Sequence, residues 1–302
     1  MNYAPIVVFG FNRPDALKNT IASLQRNTES ADSDLYVFVD GPRDGKAGEA
    51  EKVEAVREFV KTITGFKSLH YTFAKQNRGL AASIISGVTE IINEYGKVIV
   101  VEDDLELMPN FLNFMNQGLE RYENENNIFS ISGDAYKIRF PNNYEYDAYL
   151  YTRSDSWGWG TWKDRWATVD WNLEDWASVE RNKDAFKKSQ GSDVFRMLKG
   201  WKTGKNHSWA IRFCYAQFVQ SKYTILPKRS LVKNAGFGND GTHCQEYCRY
   251  KFEYDKSVKG CFSFPPAELL DERIVKQVRH YDSLPVRIKS RLFNMFLKFI
   301  CK

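Results

Sequence analysis

Val98-Ile99-Val100-Val101 runs without a polar interruption into Glu102-Asp103-Asp104-Leu105-Glu106, so an apolar strand delivers three consecutive carboxylates to its own end. Four β-branched residues in a row do not alternate between faces; they suit a strand covered on both sides, as in a parallel sheet flanked by helices. In open sheets of that kind ligands bind beyond the carboxyl ends of the strands, so the acids fall where a pocket is expected. Adjacent carboxylates repel one another and are costly to desolvate. A hard divalent cation, Mg²⁺ or Mn²⁺, is their natural neutraliser, with further oxygen ligands from a phosphate-bearing substrate. The plainer alternative is an acidic surface turn, and the flanking sequence has to decide between the two.

The chain ahead of the acids supplies that context. Pro5-Ile6-Val7-Val8-Phe9 reads as a buried strand, and Phe11-Asn12-Arg13-Pro14 as a turn opening a helix with Pro14 in its first turn and Leu17, Ile21 and Leu24 on one face. Leu35 to Val39 is a second strand, stopped by Asp40-Gly41-Pro42, and Gly45 to Gly48 is a polar loop. A third strand alternates as Leu69, Tyr71, Phe73. Gln76-Asn77-Arg78-Gly79 then leads into a helix with Leu80, Ile84, Val88 and Ile91 at helical spacing. Strand, helix, strand, helix, strand, helix, strand is the order of a parallel, nucleotide-binding type of sheet.

After the acids the pattern is mixed. Pro109 opens a helix carrying Leu112, Met115 and Leu119; Ile128 to Ile131 and Tyr149 to Tyr151 read as strands. Six of the eight tryptophans lie between residues 157 and 176, most of them expected in the core. Trp157-Gly158-Trp159-Gly160 also offers flat apolar faces on which a sugar ring could stack. A helix runs from Ser208 through Trp209, Phe213 and Phe218, and Tyr223 to Leu226 reads as a strand ending at Pro227. The glycine-rich run Asn234 to His243 has the composition of a mobile lid. Residues 286–302 place Ile288, Leu292, Met295, Phe296, Phe299 and Ile300 among Arg287, Lys289, Arg291, Lys298 and Lys302, a basic amphipathic segment fit to pack on the body or lie on a membrane surface.

Composition excludes other classes. At 302 residues with 43% apolar and 15% aromatic content, the chain can bury a large core. No stretch approaches the roughly 20 apolar residues of a spanning helix, and the start has no signal-peptide layout, so a cytoplasmic location is expected. Five cysteines without a CxxC pair indicate neither a disulfide framework nor a zinc ribbon; His243, Cys244 and Cys248 read better as a loop with two chance thiols than as a zinc cluster. A net charge of +5 gives no reason to expect nucleic acid as a partner, but suits work near acidic phosphates.

Taken together, Phe11-Asn12-Arg13 after the first strand, Asp40 after the second, Val100 to Glu106 followed by Pro109-Asn110-Phe111, Tyr151-Thr152-Arg153-Ser154-Asp155 before Trp157-Gly158-Trp159, and Pro227 through His243 resemble the GT-A glycosyltransferases. The likeness covers roughly residues 5 to 245 and is nearest to the N-acetylglucosaminyltransferase I-like group and its bacterial polysaccharide-assembly relatives. It implies an α/β, Rossmann-like nucleotide-diphospho-sugar transferase fold: a mixed, mainly parallel sheet with helices on both faces and a C-terminal helical appendage. The expected division is a transferase domain over residues 1–250 and a C-terminal extension over 251–302 with the basic amphipathic segment.

By the same resemblance Asp104 would coordinate Mn²⁺ or Mg²⁺ across two phosphates, and His243 would reach the metal or diphosphate from the lid. Glu102 and Asp103 would face the ribose and donor sugar, Asp40 would pair with the uracil ring, Arg13 would lie beside the base, and Arg78 would be a second diphosphate contact. One position departs from the pattern: where the group carries a catalytic Asp just after the tryptophan opening the late helix, this chain has Ala210 and Ile211 after Trp209. An inverting transfer needs a carboxylate at the acceptor hydroxyl; Asp155 is the first candidate, then Asp134 and Asp240. The implied partners are a nucleotide-sugar donor, most simply a UDP-sugar, and a glycan or lipid-linked oligosaccharide acceptor at the inner face of a bacterial membrane. Two rivals stand beside this reading. A sugar nucleotidyltransferase would carry a glycine-rich basic loop after the first strand, where this chain has only Gly10-Phe11-Asn12-Arg13. A non-catalytic glycan-binding protein has no need of three adjacent acids.

Overall fold

The computed structural model describes residues 3–235 and 249–300, with side chains as far as residue 295. Ten strands are described: β1 (Ile6–Gly10), β2 (Asp34–Val39), β3 (Ser68–Phe73), β4 (Lys97–Glu102), β5 (Leu105–Leu107), β6 (Ile128–Ser132), β7 (Ala148–Tyr151), β8 (Trp159–Trp162), β9 (Tyr223–Pro227) and β10 (Val232–Asn234). The helices are α1 (Pro14–Gln25), α2 (Glu49–Lys61), α3 (Leu80–Tyr95), α4 (Phe111–Arg121), α5 (Lys163–Ala167), α6 (Trp176–Arg181), α7 (Lys183–Gln190), α8 (Val194–Lys202), α9 (Trp209–Val219), α10 (Glu272–Tyr281) and α11 (Leu284–Ile300).

Eight strands form one sheet in the order β3-β2-β1-β4-β8-β6-β9-β7, and β5 pairs with β10 in a separate ribbon. β3, β2, β1 and β4 are mutually parallel, with Ile6 opposite both Leu35 and Ile99. β8 enters antiparallel beside β4, and β7 closes the far edge antiparallel to β9. This is the mixed, mainly parallel sheet expected from the sequence, and the alternation of strands and helices through β4 agrees with it.

Alternate residues of each central strand feed two cores. Ile6 and Val8 pack with Leu17, Ile21, Val53, Val56 and Leu112 from α1, α2 and α4. Val7 and Phe9 face the other way, onto Ile84 and Val88 of α3 and Trp209 and Phe213 of α9. Burial on both faces is the physical reason that the strands read as unbroken apolar runs. A third cluster joins Val179, Phe186, Val194 and Leu198 of α6 to α8 to Ile211 and Tyr215 of α9. Beyond residue 249 the chain returns to the body: Ala267 belongs to the main core, the Tyr122 hydroxyl donates to the Pro265 carbonyl at 2.6 Å, and Ile274, Val275 and Val278 of α10 cover Tyr149 and Leu226.

The tryptophan run divides by role. Trp159 is fully buried and stacks on Trp166 and Trp209, with ring centroids 5.7 and 4.9 Å apart, so it is a core residue rather than a sugar platform. Gly158 has φ +61, and a Cβ there would stand 2.8 Å from Phe111 Cε2, so only glycine fits. At Gly160 a Cβ would lie 2.8 Å from the Val98 carbonyl oxygen; its lack of a side chain lets β8 close against β4.

Candidate active site

β4 ends at Glu102, and the chain turns through Asp103-Asp104 into β5 at the carboxyl edge of the parallel strands. The turn is held from three sides. Thr20 Oγ1 of α1 donates to the Asp103 carbonyl at 2.9 Å, the Leu107 amide donates to Ser23 Oγ at 3.0 Å, and the Ala235 amide after β10 donates to the Asp104 carbonyl at 2.8 Å. Arg13, following β1 on the neighbouring strand, places one guanidinium between two acids. Nη2 bonds Asp103 Oδ1, and Nη1 reaches Asp104 Oδ2 at 3.1 Å.

Burial governs the protonation of this group. Asp103 is 5% exposed, and burial pushes its carboxyl up to about 6 although Arg13 pulls the other way. Glu102 is pushed up to about 8, by burial first and then by the charges of Asp104 and Asp103. Arg13 in turn is held more firmly protonated by Asp103 and Asp104, against the effect of burial. Asp103 and Asp104 share one guanidinium, and among the described residues no three of His, Cys, Asp and Glu converge on one metal position. A hard cation such as Mg²⁺ binds through one or two carboxylates and takes its other oxygens from water and phosphates. Asp104, whose Oδ1 accepts no hydrogen bond among the described residues, meets that requirement with Asp103 beside it.

Asp40 and Arg78 are brought together at the same edge, by an interaction that sequence reasoning did not foresee. Asp40 Oδ1 accepts the amides of Gly41 and Arg78 at 2.9 and 2.8 Å, and Oδ2 accepts the Gly79 amide at 2.9 Å. The carboxylate thus organises the loop that opens α3, and Oδ2 keeps the capacity for one further donor. The Arg78 side chain is exposed and pairs with no carboxylate among the described residues.

Glu102 opens onto a cleft of about 1000 Å³. One wall is the start of α3, from Asn77 to Ile85; the other holds Trp157, Trp201, His207, Trp209, Ala210 and Arg212. Sequence reading had not singled out Trp201, His207 or Arg212, because α8, the loop after it and the first turn of α9 carry no recognisable local motif.

Asp155 lies at a smaller adjoining cavity of about 140 Å³, and Ser156 and Ala210 line both spaces. Its Oδ1 accepts the Trp157 amide at 2.9 Å and its Oδ2 the Tyr136 hydroxyl at 3.3 Å. Burial, the largest influence, holds this carboxyl above its ordinary value. Asp134 is only 1% exposed; Oδ1 accepts Ser230 Oγ at 2.9 Å and Oδ2 has no partner among the described residues. Burial, then the charge of Asp155, raises Asp134 well above the usual carboxylate range. Asp240 and His243 lie outside the described residues.

Behind Asp155 is a buried charge cluster that was not anticipated. Arg153 pairs with Asp193 and Asp282, each at 3.2 Å, and Asp282 also accepts Arg249 Nη2 at 3.0 Å and the Tyr250 hydroxyl at 2.8 Å. It links the end of β7, the start of α8 and the junction of α10 with α11.

No curated protein matches the sequence. Among solved structures, S. aureus TarS 1–349 aligns with a TM-score of 0.42 and 7% identity, covering 77% of this chain and 60% of that one. A cytidylyltransferase from Leptospira borgpetersenii aligns with a TM-score of 0.34 and 9% identity, over 61% of this chain and 74% of that one. The chain therefore spans about 60% of the length of the TarS structure. The model of the family described as "Glycosyl transferase family 2" matches residues 6–199, well over half of the sequence and all of the ground from β1 through the acidic turn to the tryptophan run. The chain belongs to glycosyl transferase family 2.

Proposed function

We propose that this protein is an inverting, metal-assisted transferase that moves a sugar from a UDP-sugar to a hydroxyl of a growing glycan. The observation that carries the reading is the Arg13-linked pair of Asp103 and Asp104 at the end of β4, beside a cleft large enough for a nucleotide sugar. Asp104, with Asp103 behind it, would hold Mn²⁺ or Mg²⁺. That cation, when bound, supplies positive charge to the departing diphosphate. Glu102 faces the donor from the cleft floor, and Arg78 offers a free guanidinium to its phosphates.

Asp155 is the preferred base. It lines the small cavity that adjoins the cleft, whereas Asp134 presents almost no surface to a substrate. The acceptor proton passes to the Asp155 carboxylate as the acceptor oxygen bonds the anomeric carbon and UDP leaves from the opposite face. Burial raises this carboxyl above its ordinary value, which makes it the stronger base for the exchange. The finer likeness to the N-acetylglucosaminyltransferase I-like group rests on the order of its motifs along the chain.

The acceptor proposed is a lipid-linked oligosaccharide of a bacterial surface polysaccharide such as capsule or O-antigen, met at the inner face of the membrane. Supporting this, α11 presents Leu284, Ile288, Leu292 and Met295 to solvent among Lys289 and Arg291. No helix of the described residues is long and apolar enough to cross a membrane, so contact through this helix would be peripheral.

The test is binding and turnover together. UDP with Mn²⁺ should raise the melting temperature, since a ligand at about 100 times its Kd adds about 2.7 kcal/mol to the native state. Asp104→Asn should abolish both transfer and the Mn²⁺-dependent part of that shift. Asp155→Asn should keep the shift and lower kcat at least about 100-fold, as loss of a general base does. Wild-type turnover in Asp104→Asn would refute the reading.

A further inference from the structure

Arg212, in the first turns of α9, is 7% exposed, yet no carboxylate pairs with it among the described residues. Its Nε donates to the Ser208 carbonyl at 3.2 Å and Nη1 to the Trp171 carbonyl at 2.6 Å. The guanidinium lies between the rings of Trp201 and Trp171, 5.0 and 5.6 Å from their centroids. The aromatic faces and carbonyl dipoles stabilise the cation, but its net charge stays uncompensated and Nη2 has no acceptor among the described residues. Burial is the one influence on its pKa, which it lowers; no neighbouring acid opposes it. Arg165, the other arginine buried to this degree among the described residues, has Asp164 as a counter-ion, and the partly buried Arg153 has Asp193 and Asp282.

A buried cation without a counter-ion is costly to maintain. Arg212 also lines the cleft, on the wall that carries Trp201 and His207 and faces the unpaired Arg78 across the opening. A flat indole beside the N–H donors of Nη2 suits a sugar that bears its own negative charge. The diphosphate is answered in the transferase reading by the cation proposed at Asp104 and by Arg78, which leaves the charge of Arg212 without a counterpart.

We propose that this wall of the cleft is an anion subsite, in which Arg212, supported by His207, receives the carboxylate of an acidic sugar. The inference rests on the transferase reading for the site's purpose, and extends it to the class of substrate. The acidic sugar could be the one being transferred or the one receiving it, and two titration arms separate these cases.

In the donor arm, full-length protein with Mn²⁺ is titrated with UDP-glucuronic acid and with UDP-glucose. In the acceptor arm it is titrated with methyl β-D-glucuronide and methyl β-D-glucoside, with and without UDP and Mn²⁺. The charged member of at least one pair should bind about tenfold or more tightly than the neutral one, with the preference shrinking as salt is raised. Arg212→Gln should erase the preference, and Arg212→Lys should restore part of it. The exposed His207→Gln, whose folding is not at issue, should weaken it, and UDP itself should bind Arg212→Gln as it binds wild type. Equal affinities within both pairs, with UDP binding intact, would overturn the subsite and leave the transferase reading standing. A retained glucuronide preference without any UDP binding would do the reverse.

Discussion

Arg13 is the counter-charge that Asp103 and Asp104 already possess, and this makes it both a structural clamp and a competitor for any added cation. Removing one partner of a buried pair costs about 3–5 kcal/mol, and the 33% exposure of the guanidinium side chain brings the expectation for Arg13→Gln down to about 2 kcal/mol. Mn²⁺ alone should then stabilise the variant more than the wild type, which thermal melts with and without the ion will show; identical responses would separate Arg13 from the cation site. Asp134 gives a prediction in pH. Burial raises its folded pKa, so the stability it contributes is complete below the unfolded value of about 3.9 and is lost as pH rises through the folded value. Asp134→Asn should therefore match wild type near about pH 4 and melt about 3 °C higher at about pH 8. A difference that grew on acidification would contradict the assignment. The acidic turn and Arg13 were legible because their residue types are chemically unusual beside an apolar strand. Arg212 was not: its importance comes from what does not pair with it, and only the folded neighbourhood displays that.

At the level of elements, the parallel half of the sheet could be read from apolar runs because burial on both faces leaves few polar interruptions. The same holds for α3, whose buried Ile84, Val88 and Ile91 stand at helical spacing. β5 and β10 escaped notice, since strands of three residues are too short to show a period. Their pairing is what brings Ala235 against the Asp104 carbonyl. β8 was hidden by its tryptophans and glycines: Trp159 read as a possible sugar platform, whereas it packs in the core, as Trp162 does. Gly158 tests that strand's entry: with φ +61 and Phe111 in the way, Gly158→Ala should cost about 2–4 kcal/mol, combining a left-handed backbone with overpacking. Denaturant unfolding will measure it, and a loss below about 0.5 kcal/mol, the range of neutral surface changes, would mean that the turn relaxes freely.

Over the whole molecule, the sheet edge that gathers Asp40, Arg13 and the acidic turn is one end of a body whose other exposed feature is α11. Leu284, Ile288, Leu292 and Met295 are between 48 and 67% exposed, with Lys289 and Arg291 on the same helix. Removing residues 286–302 should weaken partitioning to vesicles containing anionic lipid, each lost basic residue near the surface counting for about 1 kcal/mol. Vesicle sedimentation at low and high salt reads this directly, and unchanged partitioning would assign the helix to another role.

Asp282 sets the limit of such shortening. It supplies counter-charge to Arg153 at the sheet edge and to Arg249 on the returning chain, while Arg153 also holds Asp193 at the start of α8. A truncation that stops ahead of position 282 strips a buried guanidinium of half its neutralisation, so harm done at the carboxyl terminus should surface beside Asp155. Segment exchange between relatives inherits the same rule: the tail and the segment that carries Asp193 have to travel as a matched set.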